Sequence, residues 1–483
     1  MGDLALRKRI RRLTTWCIET YSNCPTDLRA GLPVASSTAV RKLTFGIIIV
    51  HLSAGLARAQ GAPTLSLDEA IRLALANNRT VASTALEVDK AANDAAVARS
   101  KRLPQFQIEM QASQLLQPVD LTFPAGSFGT FAGIGPVPAT DSKVTTPAGL
   151  SFVSNVQASQ PLTPLFKLNL NVKLTETAQH KAAEQLRDTK LALVAEVRRT
   201  YYDIAQTESA YEANERSIAL LQELSRVVGT RLIQQTALKS DALATESKLA
   251  RAEVSRLELQ QAIDSRKEQL NLLLGRDVRT AFVVAAMPEA VIPTISVETA
   301  QERGVDARPD VRQARAALEQ ADIARRIAKA DYIPDVNLTA SYLTPMNIDG
   351  APGHIASAAL QLRWEPFDWG RKARTLASKD LSLQQARNSV RDAEDRAALD
   401  ISAKVRAVDA ARARLKALRL SADAAHEGAR ISLMQYSAHA TLFADVLQTQ
   451  SSAADADHQI QQALAAFWAA QADLERAMAE DIQ

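Results

Sequence analysis

Two kinds of periodicity divide this chain. Four short segments alternate apolar and polar residues with period two. Phe106, Ile108, Met110 and Ala112 interleave with Gln105, Gln107, Glu109 and Gln111. Phe152, Val156 and Ala158 interleave with Asn155, Gln157 and Ser159. Val336, Leu338, Ala340 and Tyr342 alternate with polar or small residues, and Ala358, Leu360, Leu362 and Trp364 with Gln361, Arg363 and Glu365. This period predicts strands with one apolar and one polar face, over 104–116, 149–162, 334–345 and 355–366. Each runs about 10–13 residues, the length of a tilted membrane-spanning strand.

Elsewhere the spacing is helical. Val197, Ile204, Tyr211 and Ile218 stand seven apart, as do Val446, Ala453, Ile460, Phe467 and Leu474, with Leu464, Gln471 and Met478 between the latter. A 4-3-4-3 rhythm marks supercoiled helices, and these residues read as buried seams. Long helices are predicted over 165–230 and 371–435, shorter ones over 240–275 and 445–480. Helix-like segments of about 34 residues precede each strand pair, at 67–101 and 298–331. A long helix of about 65 residues spans about 100 Å, and each shorter one about half of that. Two short helices end to end therefore match one long one, which describes a ring of antiparallel helices.

The order of features occurs twice, offset by 230 residues. Leu65-Ser66-Leu67 aligns with Ile295-Ser296-Val297, Val81 with Val311, Ala98 with Ala328 and Pro104 with Pro334. The expected division is a first repeat over 60–294 and a second over 295–483. Residues 117–150, rich in Pro, Gly, Ser and Thr, read as an extended surface loop, and Asn347–Gly353 as a shorter one. Four strands cannot close a barrel, which takes about eight. Open strand edges are not tolerated in lipid. The strands are therefore covered in water, or several chains share one barrel, three giving twelve strands.

Composition alters this picture mainly at the N-terminus. Residues 43–56 form the strongly apolar run, preceded by Arg41-Lys42 and followed by Ala57-Arg58-Ala59. That is a secretory signal peptide cut after Ala59, with Ala57 the other small residue of the cleavage site; an uncleaved anchor is the alternative. The basic prelude over 1–39 is either an over-extended start or a genuine extended n-region. Residues 1–59 hold nine Lys/Arg and three Asp/Glu, so the remainder nets −3 where the whole chain nets +3. The basic balance belongs to the leader and gives no support for nucleic-acid binding. Both cysteines, Cys17 and Cys24, lie there too, which leaves the mature chain without thiol chemistry. The six histidines show no metal-ligand spacing, and no phosphate-cradling loop or nucleophile motif occurs, so no enzyme, cofactor or metal is expected. Glu184/Arg187 and Asp264/Lys267 read as ordinary solvated-face pairs.

Several short segments resemble the TolC-like outer-membrane efflux protein family across 64–480. They are the opening segment LSLDEAIRLALANN, Arg308-Pro309-Asp310 (with Asn78-Arg79-Thr80 in the first copy), Leu103-Pro104-Gln105-Phe106, Ile333-Pro334-Asp335-Val336, Leu270–Gly275 and Trp364–Arg371. The resemblance implies a mainly α fold with a small antiparallel β part. In that fold a homotrimer forms a twelve-stranded outer-membrane barrel continued by a coiled-coil periplasmic tunnel. It implies a passive exit duct for small toxic compounds or exported polypeptides. The partners would be a periplasmic membrane-fusion adaptor, an inner-membrane RND or ABC-type transporter and outer-membrane lipid. A non-transport periplasmic coiled-coil scaffold or adaptor is the competing reading, and the paired strands argue against it.

In this family the periplasmic entrance lies at the two breaks between long and short helices. Here these are Gln235–Asp241 and Tyr436–Asp445, which makes Asp241, Asp445, Tyr436 and Thr441 the gate candidates. Tripled, Asp445 would form a carboxylate ring able to attract cations. The other reading is that Asp241 and Asp445 only cap the following helices. The chain departs from the family where Gln235 and His439 stand in place of a frequent Gly, and where Gln448 replaces an acidic residue.

Overall fold

A computed structural model describes residues 63–235, 238–289, 295–346, 352–438 and 440–480. The cleavage residues Ala57 and Ala59 and the turn residue His439 lie outside the described residues. The first half opens with β1 (Thr64–Leu65), α1 (Leu67–Asn77), α2 (Arg79–Ser100) and β2 (Gln105–Leu115). An excursion follows through β3 (Val119–Phe123), β4 (Thr130–Phe131), β5 (Gly135–Pro136) and β6 (Ser142–Thr146). Then come β7 (Gly149–Pro161), α3 (Pro164–Ile233), α4 (Lys239–Leu273) and β8 (Val283–Val284). The second half runs α5 (Val297–Gly304), a 3-10 turn at Val305–Ala307, α6 (Pro309–Ala330), β9 (Asp335–Met346), β10 (Ile355–Arg363), α7 (Arg371–Ser437) and α8 (Phe443–Ala477).

The helix-like segments expected at 67–101 and 298–331 are each broken, and the breaks have different causes. Asn78 is extended, and its side-chain oxygen accepts from the N–H groups of Thr80 (2.9 Å) and Val81 (3.3 Å). That cap competes with the helical backbone and starts α2 afresh. In the second half Pro309 forces Arg308 out of the helical region and opens α6.

Residues 117–150 also differ from expectation. They are two short antiparallel ladders, β3 with β6 and β4 with β5, not an open loop. Asp120 accepts from Thr145 (2.7 Å) and pairs with Lys143 (2.8 Å) across the first ladder. Gly126, Gly129, Gly133 and Gly135 take the positive φ that the tight turns need.

The main sheet has the order β10-β9-β7-β2, antiparallel throughout. Its register places Phe106, Ala158, Ala340 and Ala358 in one row on one face, with Gln107, Gln157, Ser341 and Ser357 in the next row on the other. The faces separate as the alternation requires. Phe106, Ile108 and Met110 on β2 and Leu360 and Leu362 on β10 are exposed on the apolar face. On the polar face Ser113 bonds Ser151 and Ser341 bonds Ser357, each at 2.8 Å. Within this chain β2 and β10 are edge strands.

Of the seam residues, Val197, Ile204, Ile218, Val446, Ala453, Leu464, Phe467, Leu474 and Met478 are buried. α3 packs against α2, α4, α6 and α8, and α7 against α6 and α8. One apolar cluster gathers Val197, Tyr201, Ile204, Leu270, Leu274 and Phe282; another gathers Ile401, Val405, Phe467 and Leu474. The Tyr201 hydroxyl donates to the Leu65 carbonyl and accepts from the Ala285 N–H, both at 2.9 Å. It thereby ties the short parallel ladder of β1 and β8 to α3.

Of the two expected solvated-face pairs, Glu184 and Arg187 do meet, at 4.0 Å, but half-buried, and the basic residue of each pair reaches another element. Lys267 pairs with Glu208 on α3 (2.6 Å). Arg187 donates to the carbonyls of Ala307 (2.7 Å) and Ala479 (3.1 Å), which joins α3 to the second half. None of the described helices is long and apolar enough to cross a membrane.

Candidate functional site

Each long helix ends in a short break before its shorter partner, and the two breaks carry the same framework. Leu238, Asp241, Leu243 and Thr245 stand 204 positions before Leu442, Asp445, Leu447 and Thr449. In both copies Leu holds the extended N-cap position and Asp the third helical position. The Asp241 carboxylate accepts from the Leu238 N–H at 3.4 Å, and the Asp445 carboxylate from the Leu442 N–H at 3.3 Å. Leucine offers no side-chain acceptor, so each cap is half of the reciprocal arrangement seen with Ser or Thr. Thr245 and Thr449 donate back to the carbonyls of Asp241 (2.8 Å) and Asp445 (3.0 Å).

Of the four sequence candidates, the structure brings three into one group and leaves Asp241 at the other break. Thr441 donates to the Asp445 carboxylate at 2.7 Å. The Tyr436 ring lies 5.6 Å from that of Phe443, which opens α8. Across to the first break, the Arg231 guanidinium hydrogen-bonds the Tyr436 hydroxyl and sits 5.0 Å from its ring centroid. Arg231 on α3 therefore links the two breaks, a contact that sequence reasoning missed. A basic residue in the last turn of a helix has an ordinary role in balancing the helix dipole. Nothing local shows that Tyr436, 205 residues on, stands opposite.

The missing glycine has a structural consequence at the first break. Gln235 adopts φ 62, a region that costs a residue with a Cβ about 1 kcal/mol relative to glycine. Its N–H bonds the Leu232 carbonyl at 3.0 Å as α3 ends. The described residues contain no group of three or more side chains that could hold a metal ion. The breaks combine caps, a cation–π contact and two carboxylates, Asp445 exposed and Asp241 half-buried. Among the described residues this is the equipment of a joint.

The family model of outer membrane efflux proteins matches residues 70–276 and 305–480. The chain is 25% identical over 446 residues to outer membrane protein OprJ of Pseudomonas aeruginosa, which covers 86% of this chain and 83% of that protein. It is 22% identical over 314 residues to an uncharacterized protein of Haemophilus influenzae, spanning 63% of this chain and 64% of the relative. Its fold is similar to the solved structure of CusC, with a TM-score of 0.72 at 17% identity, covering 87% of this chain and 95% of that one. Fold and matches together define an outer-membrane protein of the transport class, not an enzyme. The chain belongs to the outer membrane efflux protein family.

Proposed function

We propose that this chain is the channel subunit of a tripartite export system, a passive duct through the outer membrane and periplasm. Three copies share one barrel, β2 of each pairing with β10 of the next to give twelve strands. The single observation that supports this most is the four-stranded sheet with two open edges and an apolar face. Such a sheet is unstable in lipid alone and complete once its edges are paired. A periplasmic membrane-fusion adaptor and an inner-membrane RND or ABC-type transporter deliver the cargo and supply the energy. The cargo class is small toxic compounds or exported polypeptides. The chain divides into a leader over 1–59, cleaved between Ala59 and Gln60, and repeats over 60–294 and 295–483. The purified protein should be a trimer by light scattering and form ion-conducting pores in planar bilayers. A monomer without conductance overturns the reading.

The entrance of the duct lies at the two helix breaks, with Asp241, Asp445, Tyr436 and Thr441 as its polar groups and Arg231 holding the breaks together. Tyr436→Phe removes the hydroxyl that Arg231 engages and keeps the ring stack on Phe443. It should raise single-channel conductance about twofold or more by loosening a contact of ~1–2 kcal/mol. Unchanged conductance would leave Arg231 and Tyr436 as packing alone.

A further inference from the structure

The four strand–helix junctions all lie at one end of the main sheet: the starts of β2 and β9 and the ends of β7 and β10. The twelve residues flanking each strand at that end (93–104, 162–173, 323–334 and 364–375) contain eleven Lys/Arg and four Asp/Glu. This is a surplus of seven positive charges in a chain that nets −3 outside its leader. At the opposite end of the sheet, the stretch 116–148 carries only Asp120, Asp141 and Lys143.

Three of the four acids in the basic band are already engaged, and Glu176, Asp335 and Asp380 just outside it pair with Arg99, Lys167 and Arg325, so the collar rests on the basic residues left unpaired. Asp331 pairs with Lys167 (3.2 Å), Glu365 with Arg371, and Asp368 accepts from the N–H groups of Gly370 (3.1 Å) and Lys372 (2.8 Å). Lys101, Lys329 and Arg374 have no side-chain partner among the described residues.

The same band carries exposed aromatics. The turn from β10 into α7 puts Trp369 at φ 55 and Gly370 at φ 82, with Asp368 bracing both sides of the bend. The strained backbone leaves the Trp369 ring fully exposed beside Phe367 (87% exposed) and Trp364. A large apolar ring held out by strained backbone has a cost in water and none at a membrane–water interface, where Trp is favoured.

We infer that this end of the sheet is a lipid-binding collar that selects anionic glycerophospholipid. The rings of Trp364, Phe367 and Trp369 sit at headgroup depth, and Lys101, Lys329 and Arg374 reach up to the phosphates. The inference rests on the barrel reading above, which makes this the periplasmic side. Long basic side chains lying just outside the apolar zone extend toward the interface and meet its negative surface. Charge complementarity selects the occupant: a neutral surface would not use the surplus, and a nucleic acid would not use the rings' position at the edge of an apolar sheet face.

The test uses the mature chain with Trp468→Phe, which leaves Trp364 and Trp369 as its tryptophans, reconstituted in bilayers containing brominated phosphatidylglycerol or brominated phosphatidylethanolamine at equal mole fraction. Fluorescence of Trp364 and Trp369 should be quenched by both, at least twofold more strongly by the phosphatidylglycerol. Lys101→Gln/Lys329→Gln/Arg374→Gln should abolish the difference and keep the quenching. Equal quenching by the two lipids before substitution overturns the selectivity, and no quenching by either overturns the collar. Conductance of the same samples separates the outcomes: pores without lipid preference sink this inference alone, whereas a wild-type chain that forms neither trimers nor pores sinks the channel reading.

Discussion

The two halves of the chain repeat one order of elements yet secure the same joint in different ways. Where α1 gives way to α2, Asn78 caps the new helix and its amide donates to the Leu273 carbonyl (3.0 Å). Gly275 closes against the same spot at φ 67. Where α5 gives way to α6, Pro309 fixes the backbone. Arg308 holds the joint through Asp310 (2.8 Å) and Asp400 (2.7 Å). The first joint depends on close backbone approach and neutral hydrogen bonds, the second on a rigid ring and ion pairs. A repeat constrains where the bend falls, and leaves free the chemistry that stabilises it.

The largest effect should come from Gly275→Ala. Its Cβ would stand 2.3 Å from the Asn77 carbonyl oxygen, and the positive φ adds strain, for a loss of about 3 kcal/mol or more. Gly304→Ala in the second half meets the Ile401 side-chain end (Cδ1 at 2.7 Å) most closely and the Met478 Cα only at 3.1 Å, a milder clash that costs about 1–2 kcal/mol. Circular-dichroism melts in detergent should rank the two in that order, and equal losses would break the contrast between backbone and side-chain closure.

Next are the polar anchors. Asn78→Ala should cost about 2 kcal/mol, since both cap and cross-joint bond are lost. That cost should stay constant from low to high salt. The cost of Arg308→Met should fall as salt rises, because its partners are part-exposed carboxylates. A salt-independent Arg308 effect would count against the ion-pair account.

Asp473 on α8 extends the contrast to pH. Burial pushes its carboxyl up, but hydrogen bonds and charge from Lys404 and Arg199 more than offset this and hold it below the ordinary carboxylate range. A lowered folded pKa contributes stability that is complete above the unfolded value and is lost as pH falls through the folded one. Asp473→Asn should therefore cost about 1–2 kcal/mol at neutral pH, and the gap to wild type should close on acidification below about pH 4. A gap that widens in acid would reverse the sign and refute the assignment. The smallest effect should be a gain. Gln235→Gly relieves the φ of 62 and should stabilise by about 0.5–1 kcal/mol, read as a rise in the melting midpoint.

Much of the architecture is legible in the sequence. Period-two alternation at Phe106–Ala112 and Ala358–Leu362 implied one-faced strands, and the register bears out which residues share each face. The heptads through Val197 and Val446 marked seams that are buried. What failed did so for physical reasons. The stretch 117–150 holds strands too short for periodicity to register, set by glycine turns and the Asp120–Lys143 pair. The segment 67–101 reads as one helix because Asn78 is compatible with either state until its side chain finds two N–H groups and the Leu273 carbonyl. At the helix breaks the caps by Asp241 and Asp445 are local, so sequence could name them. Arg231 is not, because its partner is brought by the folding of a separate hairpin.

The sequence by itself determined the types of the long elements and the segregation of apolar from polar faces. Each depends on interactions within about seven residues, where side-chain spacing is fixed by backbone geometry. Only the tertiary structure decided which carbonyls Arg187 joins, which carboxylate Lys267 meets and which ring Arg231 covers. It also decided that all four strand–helix junctions fall at one end of the sheet, so that basic residues scattered along the sequence become one band. Those outcomes depend on long-range register, which no local pattern specifies.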